Sequence, residues 1–301
     1  ASKVLLQKTT NILAKNGHLQ GQVKGTIDDK NNWQFETQTA LAAKSGLLLQ
    51  HDNTARLGNF RLTAEGNINA DKGIVEPKLQ GTLETTAVKV QTSALRDLVA
   101  LAQLHTKWQW QKNQLDVPRI SALYAEGDVD GHVTFSDFGQ RSPRVEGEFL
   151  ARNVQLANLS SWLKTSLPQL LPEADLNGTG FAKATLDGNL DKLNLDLEAQ
   201  AYKSTFIWND GSESKKLALD KVNFKTHVAL TGGESTFAIP LQELTLWSDG
   251  ARLAAQGDLQ YLPDKSTFAY DVDLSLDGFQ LARALQDLPL GQSVADWQKV
   301  S

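Results

Sequence analysis

The sequence predicts an all-β fold with a few short helices, organised as an elongated, curved antiparallel sheet. Three observations carry that expectation. Apolar residues recur at every second position along much of the chain, short turn signals separate these runs, and glycines keep phase with the apolar side. A strand places successive side chains on opposite faces, so a period of two puts one face against apolar surroundings and the other in water.

The alternating runs follow one another from the amino-terminal end. Trp33, Phe35 and Thr37 form one, followed by Phe60, Leu62 and Ala64, then by Val129, Gly131, Val133 and Phe135. Leu193, Leu195, Leu197 and Ala199 continue the pattern, as do Phe237 and Ile239. The clearest run places Phe268, Tyr270, Val272, Leu274 and Leu276 on one face, with Asp271, Asp273 and Ser275 on the other. About fifteen such runs would fill most of the chain at ordinary strand lengths. Between them stand Asp28 to Asn32, Lys112 with Asn113, Asn209 to Gly211, Gly232 with Gly233, Asp249 with Gly250, and Pro263 with Asp264. Links this short join antiparallel neighbours, because parallel pairs need long crossovers.

Glycine or alanine stands on the apolar side in Leu19-Gly21-Val23, Ala64-Gly66-Ile68, Leu79-Gly81-Leu83, Val145-Gly147-Phe149, Leu176-Gly178-Gly180 and Leu253-Ala255-Gly257-Leu259. Glycine weakens a strand interior, so its repetition on one side points to a sheet bent tightly enough to crowd its concave face. Three segments couple a strand to an amphipathic stretch, starting at Val88, Val154 and Phe279, and predict short helices near 92–104, 156–170 and 279–288. The chain is expected to be one repetitive body over residues 1–301. Ala1 in the place of an initiator Met adds the expectation of a piece of a longer protein.

Composition narrows the function. The 301 residues carry 30 Lys and Arg against 35 Asp and Glu, a net charge of −5, with no long basic run. Nucleic acid is therefore not an expected partner. The absence of Cys removes disulfides, thiolate metal sites and Cys nucleophiles. His18, His51, His105, His132 and His227 are scattered without metal-ligand spacing. Ser161 with Lys164 and Ser212 with Lys215 have Ser-x-x-Lys spacing, but the elements that accompany it in penicillin-recognising enzymes are missing. Gly178-Thr179-Gly180 lacks the third glycine and the βαβ setting of a dinucleotide loop. Asp128 with Asp130 and Asp271 with Asp273 read as a solvated outer face. No catalytic constellation assembles, so the chain is expected to be non-enzymatic and to use no metal or cofactor.

What the sequence offers instead is a continuous apolar face, which must be covered by a second sheet, by helices or by a ligand. A closed β-sandwich acting as a structural or outer-membrane-protein assembly scaffold is one reading. A curved sheet holding an apolar ligand is the other, with Phe35, Phe60, Leu62, Val129, Val133, Phe135, Phe149, Leu193, Leu195, Leu197, Phe237, Ile239, Phe268, Tyr270, Val272 and Leu274 as its expected lining.

Three phrases carry a resemblance to a known family: Val145-Glu-Gly-Glu-Phe-Leu-Ala-Arg-Asn-Val-Gln-Leu-Ala-Asn-Leu, the glycine-punctuated run from Leu176 to Leu197, and Ala251-Arg-Leu-Ala-Ala-Gln-Gly-Asp-Leu. The chain resembles the AsmA-like superfamily of Gram-negative envelope proteins, most closely its TamB-like branch, in style over nearly its whole length. The resemblance implies a taco-like sheet whose apolar groove crosses the periplasm and carries phospholipid acyl chains between the inner and outer membranes. It further implies an inner-membrane anchor outside this segment and an outer-membrane BamA-like barrel partner, TamA.

Overall fold

The computed structural model describes residues 11–27, 33–50, 53–71, 74–91, 99–137, 143–166, 174–189, 192–209, 214–231, 237–262 and 267–278. Seventeen strands and one helix account for most of them. In chain order the first strands are β1 (Asn11–Lys15), β2 (His18–Ile27), β3 (Trp33–Ala43), β4 (Ser45–Gln50), β5 (Asn53–Leu57) and β6 (Phe60–Asp71). Then come β7 (Ile74–Gln91), β8 (Val99–Gln111), β9 (Gln114–Tyr124), β10 (Gly127–Ser136), β11 (Arg144–Gln155) and the helix α1 (Leu156–Ser166). The last are β12 (Ala174–Asn189), β13 (Lys192–Asn209), β14 (Ser214–Thr231), β15 (Phe237–Ser248), β16 (Ala251–Leu262) and β17 (Thr267–Asp277). The chain is all-β, and the ladders are antiparallel.

Contacts divide the chain into two units. The first comprises Ala1–Ala151, Thr185–Asn194 and Leu230–Gly233, and the second Arg152–Ala184, Leu195–Ala229 and Glu234–Ser301. In the first, β2 pairs with β3, β3 with β6, and β6 through β10 follow as consecutive neighbours. The short strands β1, β4 and β5 form a second run that rejoins β7 at Val88 to Gln91. In the second unit β14, β15, β16 and β17 pair in sequence. Short turns explain this order: Lys112 (φ 53) opens the β8–β9 link, Ala125 and Glu126 (φ 47 and 64) the β9–β10 link, and Asp249 with Gly250 (φ 48 and 78) the β15–β16 link.

The bending expected from the glycines has two structural sources. One is a line of ladder breaks across the first unit. It passes Asn16 (φ 53) between β1 and β2, Lys44 between β3 and β4, Gly58 between β5 and β6, and Gln103 (φ 50) inside β8. Two backbone bonds keep the chain tied across it, from Gly58 N to Ala87 O at 2.8 Å and from Thr86 N to Asn59 O at 2.9 Å. A left-handed residue inside a strand turns its direction and raises its twist. The other source is Gly66 (φ 134) in β6 and Gly257 (φ 148) in β16, which hold backbone conformations open only to glycine. A Cβ at Gly66 would collide with the carbonyl of Lys78, and one at Gly257 with the carbonyl of Asp271.

One expected helix is corrected. Of residues 92–104, 99–104 form the start of β8, and 92–98 lie outside the described residues. Leu95, Leu98 and Val99 have the spacing of one helical stripe, but Val99 pairs with Val90 and Leu101 with Val88, so pairing with β7 decides the conformation from Val99 onward. The helix expected over 156–170 is present as α1, ending among the described residues at Ser166. The third, at 279–288, lies outside the described residues.

Gly257→Ala and Gly66→Ala are each expected to lower the unfolding free energy by at least about 2 kcal/mol, combining backbone strain with a carbonyl collision. Urea unfolding of each variant measures this. An unchanged midpoint would show that these positions tolerate a side chain and do not fix the bend.

Candidate functional site

Register determines which side chains meet, because residues directly opposite one another in a ladder project to the same face. In the first unit Leu19 stands opposite Leu41, Leu41 opposite Leu62, and Leu62 opposite Leu83. The same row continues to Thr106, Ile120 and Gly131. A parallel row runs from Val23 through Thr37, Gly66, Leu79, Trp110 and Leu115 to Phe135. Each row crosses the unit at right angles to its strands, so the apolar face is a set of stripes.

The expected lining residues of this unit fall on these stripes. Phe35 lies opposite Gly25 and Ile68, and its ring occupies the space that a Cβ on Gly25 would need. Phe60 is buried opposite Ala43 and Thr85. Val129 and Val133 are buried opposite Ala122 and Val117. Phe149 of β11 covers Gly131, where an added Cβ would stand 2.6 Å from its Cδ1. Leu193, at the start of β13, is half-buried, with its Cα 3.1 Å from the Cβ position of Gly188 near the end of β12. The in-phase glycines thus serve a second purpose, receiving aromatic rings from neighbouring strands.

The second unit repeats the arrangement. Four rows cross β15, β16 and β17: Ile239 with Leu259 and Tyr270, Leu241 with Gly257 and Val272, Leu244 with Ala255 and Leu274, and Leu246 with Leu253 and Leu276. On β14, Thr226, Phe224 and Val222 extend the last three. Lys225 Nζ meets Glu198 Oε1 at 2.7 Å and His227 Nδ1 meets Asp196 Oδ1 at 2.8 Å, placing β13 beside β14 with these charges on the opposite face. Leu195 and Leu197, which alternate with Asp196 and Glu198, therefore share the apolar face with Thr226 and Val228. Helix α1 sits on β12, with Leu156 Cδ2 3.1 Å from the Cβ position of Gly180 and Ser160 Oγ accepting from Leu176 N at 3.4 Å. The Gly178-Thr179-Gly180 run is the seat of that helix. Phe237 and Phe268 lie on described strands, opposite Tyr261, but their side chains are outside the described residues.

Burial varies along the rows. Leu241, Ala255 and Thr226 are 6%, 4% and 3% exposed, whereas Leu274 and Tyr270 on β17 are 64% and 76% exposed. In the first unit Leu19 and Val23 on β2 are 70% and 63% exposed. Each unit thus carries an apolar face that its own side chains cover at some strands and leave open at others.

Several residues on these faces escape a strict period of two. Leu241 and Leu244 are three apart yet meet Gly257 and Ala255, which are two apart, because β15 bulges between them. The same occurs in β9, where Val117 and Ile120 meet Val133 and Gly131. At each bulge a buried threonine bonds a carbonyl of the bulged strand. Thr226 Oγ1 donates to Pro240 O at 2.7 Å, and Thr106 Oγ1 to Arg119 O at 2.8 Å. Ile120 and Leu244, each three residues beyond the preceding residue of that face in its strand, join the face only through register, which no one-strand pattern displays.

The opposite faces are polar. Asp271 stands opposite Asp258 and Asp273 opposite Gln256. The hydrogen bond and charge of Glu198 raise the pKa of Lys225 above its ordinary value. Among the described residues no three His, Asp or Glu side chains converge as a metal site, and no helix is long and apolar enough to cross a membrane.

Thr226→Val and Thr106→Val are expected to destabilise their units by about 1–3 kcal/mol each, because valine leaves the bulge carbonyl without its donor. Thermal or urea unfolding checks this, and values near zero would mean that the carbonyls find other partners. No protein-family model, curated protein or solved structure matches the chain.

Proposed function

We propose that the chain is a periplasmic segment of a bridge-like lipid-transport protein of the AsmA-like type, whose apolar faces hold phospholipid acyl chains between the inner and outer membranes. The observation that carries this reading is the exposure of aligned apolar side chains, at Leu19 and Val23 on β2 and at Tyr270, Leu274 and Leu276 on β17. Contiguous exposed apolar surface marks a site for another apolar body. The rows favour an extended flexible ligand, since Leu, Val and Phe stand among Gly, Ala and Thr along them and the same pattern repeats from strand to strand.

Each acyl methylene moved from water onto such a face gains about 0.8 kcal/mol, so a few contacts hold a tail and the next few compete for it. Similar weak stations in series allow movement, whereas one tight pocket would trap the lipid. The head group stays in water, and no catalytic step is required. In this proposal the full-length protein is anchored in the inner membrane and delivers lipid to an outer-membrane BamA-like barrel such as TamA. The resemblance in sequence style supports that context.

Two measurements test the proposal. Lipids extracted from the purified chain and analysed by mass spectrometry are expected to include phospholipid. Leu195→Asp and Val272→Asp, which place a charge on the apolar face, are expected to abolish photo-crosslinking of lipid at nearby positions in the full-length protein. A lipid-free chain, or crosslinking and transport that survive both substitutions, would leave the closed scaffold as the better description.

A further inference from the structure

The polar face of the first unit carries a feature that lipid holding does not use. The registers place Gln22 opposite Gln38, Gln38 opposite Glu65, Glu65 opposite Gln80, Gln80 opposite Gln109, and Gln109 opposite Asp116. One unbroken line of amides and carboxylates therefore crosses β2, β3, β6, β7, β8 and β9. Gln80 Nε2 donates to Glu65 Oε1 at 2.9 Å, and Thr134 Oγ1 of β10 closes the line by donating to Asp116 Oδ1 at 3.0 Å. Gln22, Gln38, Gln80 and Gln109 are exposed. The strand spacing sets their repeat at about 4.8 Å.

This line also forms the floor of a depression. Two concavities of about 530 and 800 Å³ lie on the polar face, and Gln38, Glu65, Gln80 and Gln109 line both. With Glu65 counted in both, the charged groups are mixed in sign: Glu36, Asp116 and Lys78 join it in one, and Arg61 and Lys107 in the other. Mixed charge disfavours a polyanion or a polycation and suits a ligand that is polar without being strongly charged. Each carboxamide offers two donors and an acceptor, and each carboxylate only acceptors, which complements groups that both donate and accept. Sugar hydroxyls and N-acetyl groups have that character, and one pyranose ring of an extended chain is close in length to one step of the line.

We infer that this face binds an extended polysaccharide bearing hydroxyl and acetamido groups, laid across the strands along the line from Gln22 to Asp116. Binding is weak at each step and accumulates with length, so the ligand can be held without being cleaved. The site lies on the side of the sheet away from the acyl-chain face and does not depend on the lipid proposal.

The test is calorimetric titration of the full chain with the hexamer and the dimer of β-1,4-linked N-acetylglucosamine. The hexamer is expected to bind saturably and roughly tenfold or more tighter than the dimer, with a further loss of roughly tenfold or more in Gln38→Ala/Gln80→Ala/Gln109→Ala. Unfolding curves of the triple variant check that its fold is kept. If it is not, the single exposed change Gln80→Glu, which removes a donor while preserving size, is expected to weaken the hexamer in the same direction. No binding of the hexamer at millimolar concentration, equal affinity for hexamer and dimer, or undiminished binding by the folded variants would each overturn the inference.

Discussion

The constraint on which the structure depends is cross-strand register. A strand has two faces and no interior of its own, so alternation in one strand means little until its neighbours place like residues opposite like. In the first unit Leu79 and Gln80 are consecutive, yet one belongs to the row ending at Phe135 and the other to the row ending at Asp116. A slip of one residue in β7 would move Leu79 to the polar face and Gln80 to the apolar one. The long strands raise the penalty for such a slip with every added rung. The β16–β17 ladder runs without a break from Arg252 to Leu262, so its whole apolar set moves or stays together.

Bending a sheet threatens this constraint, since a bulge adds a residue and would exchange the faces beyond it. In β9 and β15 the extra residue is absorbed where the flanking sequence is itself out of step: Val117 and Ile120, like Leu241 and Leu244, are spaced by three. The apolar face survives because the sequence changes phase where the backbone does. The threonines at these points, Thr106 and Thr226, are small enough to be buried and bond the carbonyls of Arg119 and Pro240. Glycine achieves bending differently. Gly66 and Gly257 take up strand conformations that other residues cannot hold, so they bend without changing phase.

This division explains how much was legible in the sequence. Where one strand is regular, as from Tyr270 to Leu276, its two faces can be read from the residues alone, and the structure places them as expected. Where a bulge intervenes, as at Leu241 and Leu244, periodicity breaks although the face continues, and those residues stay hidden until the partner strand is known. The segment from Val99 to Leu104 misled for a related reason. Its Leu and Ala content suits a helix, and pairing with β7, where Val88 and Val90 stand opposite Leu101 and Val99, overrides that preference. The line of amides could not be seen at all, because Gln38, Gln80 and Gln109 are far apart in sequence and become neighbours only through register.

The two faces are then one design seen from opposite sides. Thr37, Leu79 and Trp110 sit on the apolar row, and Gln38, Gln80 and Gln109, each one residue away, sit on the polar line. Whatever fixes the register of β3, β7 and β8 fixes both surfaces together, with only the backbone between them. Side chains, by contrast, can be exchanged on one face without touching the other, because neighbouring positions in a strand point apart. An extended acyl chain and an extended polar polymer could therefore be held by the same strands at the same time, each meeting a repeat set by strand spacing. A compact core would permit neither, since it would close over the apolar rows that β2 and β17 leave open.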